Sequence, residues 1–208
     1  LNILLTSMGA YVLSRKNIMI KKILMIMIVI TMYFGGGIIP LFLLVKRLGM
    51  YDSWLAIIIP TAIRTWNLIV MKTAFQAVPD SLEESAKIDG ANDFVILFRI
   101  ILPVVKATLA VMVLFYAVGH WNAWFNAMIF LRDRKLYPLQ LLLREILISH
   151  SVSGNLLEGA VIEDDEKMLV EVVIKYSTII VATVPILFIY PFCQKYFMKG
   201  VMVGSIKG

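Results

Sequence analysis

The sequence predicts an all-α protein that crosses a membrane several times. Hydrophobic residues make up 60% of the 208 residues, charged residues make up only 16%, and the mean hydropathy is +0.85. Soluble domains carry about 25% charged residues. Several apolar runs also reach the roughly 20 residues that a helix needs to cross a hydrocarbon core of about 30 Å. We therefore expect a polytopic helical membrane protein, with residues 1–208 forming one domain.

The net charge of +6 does not indicate a nucleic-acid partner. The basic residues cluster at the ends of apolar runs, where they orient helices and contact anionic lipid headgroups. A DNA-binding chain would instead carry them along one exposed face. Cys193 is the single cysteine, and the two histidines, His120 and His150, are far apart in the sequence. A disulfide, a metal site or a histidine-based catalytic centre is therefore not expected.

Five apolar segments are predicted to be membrane spans, at residues 1–14, 23–45, 54–74, 107–131 and 169–190. The first is only a partial span, because its apolar residues 1–13 would cover only about 20 Å as a helix. Because the chain does not begin with methionine, we expect the segment to be the end of a helix that starts upstream. A cleaved signal peptide is the alternative, but a basic region and a cleavage site are missing. The basic cluster that follows, Arg15, Lys16, Lys21 and Lys22, predicts a cytoplasmic end here.

The segments between the spans follow from this topology. Residues 76–106 form a cytoplasmic loop, residues 132–168 an extracytoplasmic loop and residues 194–208 a cytoplasmic tail. The outer loop contains an amphipathic helix predicted at 138–148 and an acidic run at 163–166. Within the second span, Gly35, Gly36, Gly37 and Pro40 predict a break in the helix, which is tolerated at membrane depth only against protein or a wet cavity. Pro60 predicts a kink in the third span.

The cytoplasmic loop predicts a helix of its own. Ser81 and Glu84 have the spacing of a capping box, with Ser81 as the N-cap and Glu84 bonding back from the third helical position. Gly90 is placed to end the helix in a left-handed conformation. On such a helix Leu82, Ala86 and Ala91 can lie on one side. The charged residues Glu83, Glu84 and Lys87 then lie on another.

Arg64 is predicted to lie near the middle of its span. An unpaired charge there costs at least about 2.5–3.5 kcal/mol on insertion scales, so its side chain must meet water, substrate or a partner. One interpretation is recognition of solute hydroxyls in a wet pathway, together with Asn67 one turn further on. The other is a structural ion pair with another subunit. The sequence alone leaves both open.

A second set of pathway residues is predicted on the fourth span. Tyr116, His120 and Trp124 recur at intervals of four and share one helical face, whereas Asn122 and Asn126 share another. Aromatic rings stack on the CH faces of cyclic solutes, which favours the first set as a substrate contact. The competing and more common explanation is an interfacial aromatic belt, with the asparagines bonding neighbouring helices.

The cytoplasmic loop also carries a longer motif. Glu84-Ser85-Ala86 is followed after three residues by Gly90, and nine residues later come Ile100, Leu102 and Pro103. This order resembles the EAA loop of the membrane subunits of type I ABC importers in the carbohydrate class, with Ser85 in place of the commoner alanine. Four further stretches, at 34–40, 116–122, 137–140 and 195–208, are similar to the oligosaccharide permeases of that class. They are closest to the subgroup, common in Gram-positive bacteria, that imports complex oligosaccharides from polysaccharide breakdown.

The resemblance implies a fold and a function. The fold would be the type I ABC-importer transmembrane domain, with its first helix missing or partial. The function would be the permease subunit of an ATP-driven importer of oligosaccharides or polysaccharide fragments in the cell membrane. The loop would be a coupling helix that contacts an ATPase subunit. The residues that the motif assigns to coupling are Glu83, Glu84, Ser85, Ala86, Asp89, Gly90, Leu102 and Pro103.

The resemblance also implies partners. These would be a second permease, two ATPase subunits that bind ATP and Mg²⁺, and an extracellular substrate-binding protein. This chain itself would need no cofactor and would not be an enzyme, and it lacks a Gly-rich phosphate loop ending in Lys-Ser/Thr. An ABC permease for another solute is one alternative. An ion-coupled transporter is another, but it would call for carboxylates inside the spans, where the sequence has none.

Overall fold

The computed structural model describes residues 1–15, 19–157 and 165–204, and this part of the chain is helical, without a strand. The predicted all-α class is confirmed. The helices are α1 Asn2–Ser14, α2 Lys21–Tyr33, α3 Ile38–Arg47, α4 Leu55–Ile58, α5 Thr65–Gln76, α6 Asp80–Ile88, α7 Asp93–Val95, α8 Leu102–Val104, α9 Lys106–Trp121, α10 Trp124–Phe130, α11 Leu139–Leu157 and α12 Asp165–Gly204. A π-helix, Ile96–Ile101, joins α7 to α8, and a 3₁₀ turn, Arg134–Leu136, precedes α11.

Among the described residues, one stretch is long and apolar enough to cross a membrane unbroken, Val172–Pro191 within α12. Two bent pairs reach that length only together: α2 with α3, at 114°, and Asp93–Val104 with α9, at 90°. The helix α1 is apolar but shorter. No side chain of α2 is buried, and α12 exposes most of its large apolar side chains, as suits surfaces that face lipid or a partner.

The second span is not one helix. The predicted segment 23–45 divides into α2 and α3, separated at the predicted glycines, and Gly37 has a φ of +80°. Pro40 does not form part of the break. It lies in the first turn of α3, where its missing N–H removes no intrahelical bond.

The third and fourth spans are also broken. Within 54–74, the chain between Ile58 and Thr65 is not α-helical, so Pro60 accompanies a full interruption rather than a kink. Within 107–131, α9 ends at Trp121 and α10 begins at Trp124. Trp124 therefore does not continue the face of Tyr116 and His120, and the predicted three-residue face is wrong on this point.

The last part of the chain departs from the predicted boundaries as well. The amphipathic helix predicted at 138–148 is confirmed, but it continues to Leu157. The last span and most of the predicted tail form one helix, α12, which includes Pro185 and Pro191. Trp121 Nε1 donates to the Ala182 carbonyl at 3.0 Å and ties α9 to α12 near Pro185. Residues 163, 164 and 205–208 lie outside the described residues.

An inner cluster of buried side chains connects α1, α5, α6, the π-helix and α9. Its members are Ala10, Tyr11, Leu13, Leu68, Met71, Phe75, Val78, Ala86, Ile96, Leu97, Ile101, Val105 and Met112. A Cβ added at Gly9 on α1 would lie 3.2 Å from Leu68 Cδ1 on α5. Small residues allow such close approach where helices pack in lipid. The inner cluster therefore fixes α6, the predicted coupling helix, to the ends of three longer helices.

Asp52, which lies between α3 and α4, forms hydrogen bonds to the chain at the end of α10. Its own N–H donates to the Phe130 carbonyl at 2.9 Å, and its Oδ1 accepts from the N–H groups of Arg132 at 2.7 Å and Asp133 at 2.8 Å. Its φ of +58° is one that aspartate tolerates better than most residues. The bonds from the backbone N–H groups of Asp133 and Arg132 lower the pKa of the Asp52 carboxyl.

We expect Asp52→Ala to lower the melting temperature of the detergent-solubilised protein. The melting temperature should also depend less on pH at acidic pH than it does in wild type. Because the folded-state pKa of Asp52 is lowered, its contribution to stability is present above the unfolded-state pKa. That contribution is lost as the pH falls through the folded-state pKa. Asp52→Asn keeps an acceptor oxygen and tolerates the positive φ, so it should retain more stability than alanine at pH 7. Thermal unfolding measured between pH 3 and pH 7 checks this, and an unchanged pH profile for Asp52→Ala would contradict it.

Candidate functional site

The predicted coupling helix is α6, and it begins two residues earlier than the capping box requires. Its N-cap is Pro79, with no side-chain capping bond, and Asp80 is already helical. The predicted N-cap role of Ser81 is therefore wrong. The φ of Pro79, −58°, directs the chain into the helix, and the carboxylates of Asp80 and Glu83 lie in the first turn, where the helix dipole favours negative charge.

The end of α6 is as predicted. Gly90 has a φ of +80°. Its N–H donates to the Lys87 carbonyl at 3.0 Å, and the Ala91 N–H donates to the Ala86 carbonyl at 2.9 Å. This pair of bonds is the Schellman motif, which needs a left-handed residue where Gly90 lies.

The two faces of α6 differ from the prediction. Glu83 is only 8% exposed and shares the buried face with Ala86, which packs in the inner cluster. Leu82, expected on the packed side, is 41% exposed, and Glu84 is exposed. The sequence predicted that Glu83 lies with Glu84 and Lys87 on a different side of the helix from Ala86. The difference arises because α1 ends next to α6 and supplies Glu83 with a cationic partner.

That partner is Arg15. Its guanidinium forms an ion pair with Glu83, and it lies 4.6 Å from the ring centroid of Tyr11 on α1. Lys87 Nζ also reaches Glu83, at 2.7 Å, and lies 4.0 Å from Asp93. Glu83 thus joins the end of α1 to the coupling helix, with Lys87 bridging onward to α7.

A cavity of about 860 Å³ lies beside this network. It is lined by residues of α1, α2, α5, α6, α7 and the π-helix, including Met8, Phe75, Asp80, Phe94 and Leu97 as well as the charged network. The cavity admits water to one side of the ion pair, so the pair is not fully desolvated.

The end of the motif forms the turn into α9. Asn92 caps α7, accepting from the Val95 N–H at 2.9 Å, and the π-helix runs on through Ile101 to Leu102 and Pro103. Proline in a helix removes one i−4 bond, and a stretch of π-helix accommodates such a change of register. After Val105 the chain turns by 90° into α9. Leu102 and Pro103 thus lie in the turn between the loop and the membrane.

A second group of polar side chains lies deeper, between α1, the α4–α5 break and α9. Tyr116 Oη bonds Thr6 Oγ1 at 2.6 Å and accepts from the Arg64 N–H at 3.2 Å. His120 Nε2 lies 3.2 Å from Asn2 Oδ1. We call these five residues the central polar cluster. The structure thus brings the predicted Arg64, Tyr116 and His120 together.

Sequence analysis missed Asn2 and Thr6. They lie four residues apart on α1, and a polar pair at helical spacing within an apolar run is a signal that could have identified them. Asn2 Nδ2 also donates to the Thr61 carbonyl at 2.9 Å, so it satisfies backbone at the α4–α5 break. Both residues lie in the segment 1–14, which was predicted to be only the end of a helix.

The remaining predicted pathway residues lie elsewhere. Asn67 is 3% exposed, and within the described part of the chain its Nδ2 has no hydrogen-bond partner. Trp124 packs against an outer cluster that includes Ile57 and Leu141, and the Arg144 guanidinium lies 3.5 Å from its ring centroid. The structure therefore supports Trp124 as an outer packing residue and separates it from the central polar cluster.

Comparisons with known proteins agree with these observations. The chain matches the binding-protein-dependent transport system inner membrane component family over residues 3–203. It is 48% identical over 206 residues to the polygalacturonan/rhamnogalacturonan transport system permease protein YtcP of Bacillus subtilis (strain 168), covering 98% of this chain and 70% of that protein. It is 41% identical over 202 residues to Protein LplC of the same strain, covering 96% and 66%.

A solved structure is similar as well. It is a chain from a bacterial ABC transporter involved in the import of the acidic polysaccharide alginate. The TM-score is 0.77 at 33% identity, over 93% of this chain and 69% of the other. The chain thus spans about two thirds of the length of the proteins that it resembles. The predicted resemblance is confirmed, and this chain, with the fold of an ABC-importer permease, belongs to the family of binding-protein-dependent transport system inner membrane components.

Proposed function

We propose that this chain is the permease subunit of an ATP-driven importer of oligosaccharides or polysaccharide fragments, and that α6 couples it to the ATPase. The observation that carries the coupling role is the arrangement of α6. Its buried face is fixed to α1 and the inner cluster, and its other face is open. A helix of this kind can transmit the movement of a partner to the membrane helices.

The open face of α6 has the chemistry of a docking surface. Glu84, Ser85 and Asp89 are exposed, and Ile88 is 87% exposed. The carboxylates can accept bonds from an arginine of the ATPase subunit, and the apolar side chain of Ile88 can enter a pocket beside it. The small side chain of Ser85 allows the two backbones to approach.

The path from this face into the membrane has three connections. Glu83 connects α6 to α1 through Arg15, Ala86 connects it to the inner cluster, and the motif's Leu102 and Pro103 lead to α9 through the 90° turn. Closure of two ATPase subunits would therefore move α1, α5 and α9 together. These helices surround the central polar cluster. Their movement would therefore change the access of the substrate to this cluster from either side of the membrane.

The same proposal includes the partners. A second permease, two ATPase subunits binding ATP and Mg²⁺, and an extracellular substrate-binding protein would complete the importer in the cell membrane. The two curated relatives described above are from Bacillus subtilis, which supports a Gram-positive source.

We expect the isolated chain to have no ATPase activity. When it is reconstituted with its partner subunits in liposomes, substrate-loaded binding protein should stimulate ATP hydrolysis and uptake of labelled oligosaccharide. Omission of this chain should abolish both. Nucleotide turnover by the purified subunit, or uptake without it, would contradict the proposal.

A further inference from the structure

We propose that Arg64 binds the carboxylate of an acidic sugar as the substrate crosses the membrane, which makes polyuronate fragments the substrate class. This inference rests on the proposed transport function. It differs from recognition of sugar hydroxyls, because it assigns the guanidinium a charged ligand.

Arg64 lies deep in the membrane, at a break in the backbone. It immediately precedes α5, whose 12 residues place it about 18 Å from the Gln76 end. Topology predicts that end to be cytoplasmic, so Arg64 lies past the middle of a core of about 30 Å. Irregular backbone at this depth is expected only where it is packed in protein or lines a water-filled cavity. The Arg64 side chain is exposed in this chain, which fits a wet cavity.

The guanidinium is held in a defined place. A Cβ added at Gly119 on α9 would lie 2.7 Å from Arg64 Nη2 and 2.9 Å from Nη1. The guanidinium thus lies directly on the backbone of α9 at a residue without a side chain. The Arg64 N–H is bonded to Tyr116 Oη, which fixes the base of the side chain. A preorganised planar donor of this kind suits a carboxylate, which it can bind with two parallel hydrogen bonds.

No carboxylate of the described part of the chain pairs with Arg64. The acidic side chains that the structure describes belong to two groups at the ends of the helices. One group lies at the coupling loop (Asp80, Glu83, Glu84, Asp89, Asp93) and the other at the outer loops (Asp52, Asp133, Glu145). The other members of the central polar cluster, Asn2, Thr6, Tyr116 and His120, carry no carboxylate, so Arg64 brings a positive charge without a matching anion. A charge at this depth needs a counter-charge or water.

The comparisons indicate which anion would supply that counter-charge. Polygalacturonan is a chain of galacturonate residues, each with a carboxylate that is ionised at neutral pH, and alginate is named as an acidic polysaccharide. A polyanion crossing a membrane core loses hydration, and a positive site near the middle of the path offsets part of that cost. An acidic residue of the second permease is the competing counter-charge, and the experiment below separates the two.

The test compares Arg64→Gln with wild type in the fully assembled importer, using two labelled substrates. One is a trigalacturonate, and the other is the same trisaccharide with its carboxyls methyl-esterified. The ratio of variant to wild-type uptake is taken for each substrate at saturating binding protein, because selectivity of the binding protein then cancels. We expect uptake of the acid to fall about tenfold or more, the loss typical of a hydrogen bond to a charged group. Uptake of the ester should change little.

Two further variants sharpen the result. Gly119→Ala keeps the charge but places a methyl group within 3 Å of the guanidinium, so it should also lower acid uptake selectively. Arg47→Gln removes another exposed arginine, in the last turn of α3, and should not alter the ratio.

Equal loss for both substrates would overturn the proposal. Reduced recovery of the Arg64→Gln complex would also overturn it, in favour of an ion pair with the second permease. If wild type imports a neutral sugar but neither of these two substrates, the proposal that polyuronate fragments are the substrate class is wrong, and the transport function stands. If wild type imports no saccharide at all, the proposed transport function is wrong.

Discussion

Replacement of Gly90 by valine is expected to abolish transport while the complex still assembles. Gly90 ends α6 with a φ of +80°, and no atom lies within 4 Å of an added Cβ. The cost of a side chain here is therefore in the backbone and not in a collision. A left-handed conformation costs an L-residue about 1–2 kcal/mol, and a β-branched residue more. Valine should thus break the Schellman bonds and change the direction in which the chain leaves the coupling helix.

Gly49 provides a matched control. It has a φ of +69°, open space around its Cβ position, and the same pair of bonds at the end of α3: its N–H to the Lys46 carbonyl, and the Met50 N–H to the Val45 carbonyl, both at 3.1 Å. Gly49→Val should therefore lower the melting temperature by a similar amount but retain transport. Gly90→Asn should retain most transport, because asparagine tolerates the left-handed region. Uptake and melting temperature are measured on each purified complex. Normal uptake by Gly90→Val would show that the helix end is not part of coupling.

Removal of the two adjacent carboxylates of α6, Glu83 and Glu84, is expected to impair the importer in different ways. Glu83→Ala deprives both Arg15 and Lys87 of their shared partner, and such a charged bond is worth about 1.5–3 kcal/mol. The ATPase subunit should still bind, but α6 would no longer be fixed to α1, so hydrolysis should continue with little transport. Glu84→Ala leaves the network intact and removes an exposed carboxylate. It should weaken association of the ATPase subunit.

The measurement is uptake per ATP hydrolysed, together with recovery of the ATPase subunit in the purified complex. Lys87→Ala is the control within the network: its side chain is half-exposed, and a pair at this spacing contributes only about 0.3–0.5 kcal/mol. It should therefore behave nearly as wild type. If Glu83→Ala and Glu84→Ala lose the ATPase subunit equally, both carboxylates lie at the docking surface and the proposed tether from Glu83 to α1 is wrong.

Features that depend on local sequence were predicted well. The left-handed end at Gly90, the break at Gly35–Gly37 and the amphipathic helix after Pro138 each depend on a few neighbouring residues. The capping box failed for a local reason as well. Ser81 and Glu84 have the right spacing, but the helix begins two residues earlier, with Pro79 as its N-cap. Two local signals competed, the proline at position 79 and the capping-box spacing of Ser81 and Glu84, and the prediction used only the second.

The breaks within the spans were predicted less well. Hydropathy depends only on composition, so it identifies an apolar segment but does not show where the backbone leaves the helical conformation. Residues 54–74 and 107–131 are apolar throughout most of their length, yet α4 ends at Ile58 and α9 ends at Trp121. No glycine marks either interruption. Extrapolation along a continuous helix therefore assigned Trp124 to the face of Tyr116 and His120, whereas it packs in the outer cluster.

The sequence by itself determined the class of the protein, its family and the position of α6, because each follows from composition or from a motif with fixed spacing. Only the tertiary structure decided which side chains meet. The pairing of Glu83 with Arg15 joins residues far apart in the chain, and so does the contact of Arg64 with Gly119. Side-chain partners depend on how helices pack, and a helical period shows only which residues share a face. For that reason the sequence placed Glu83 on a different side of its helix from Ala86 and left the partner of Arg64 open.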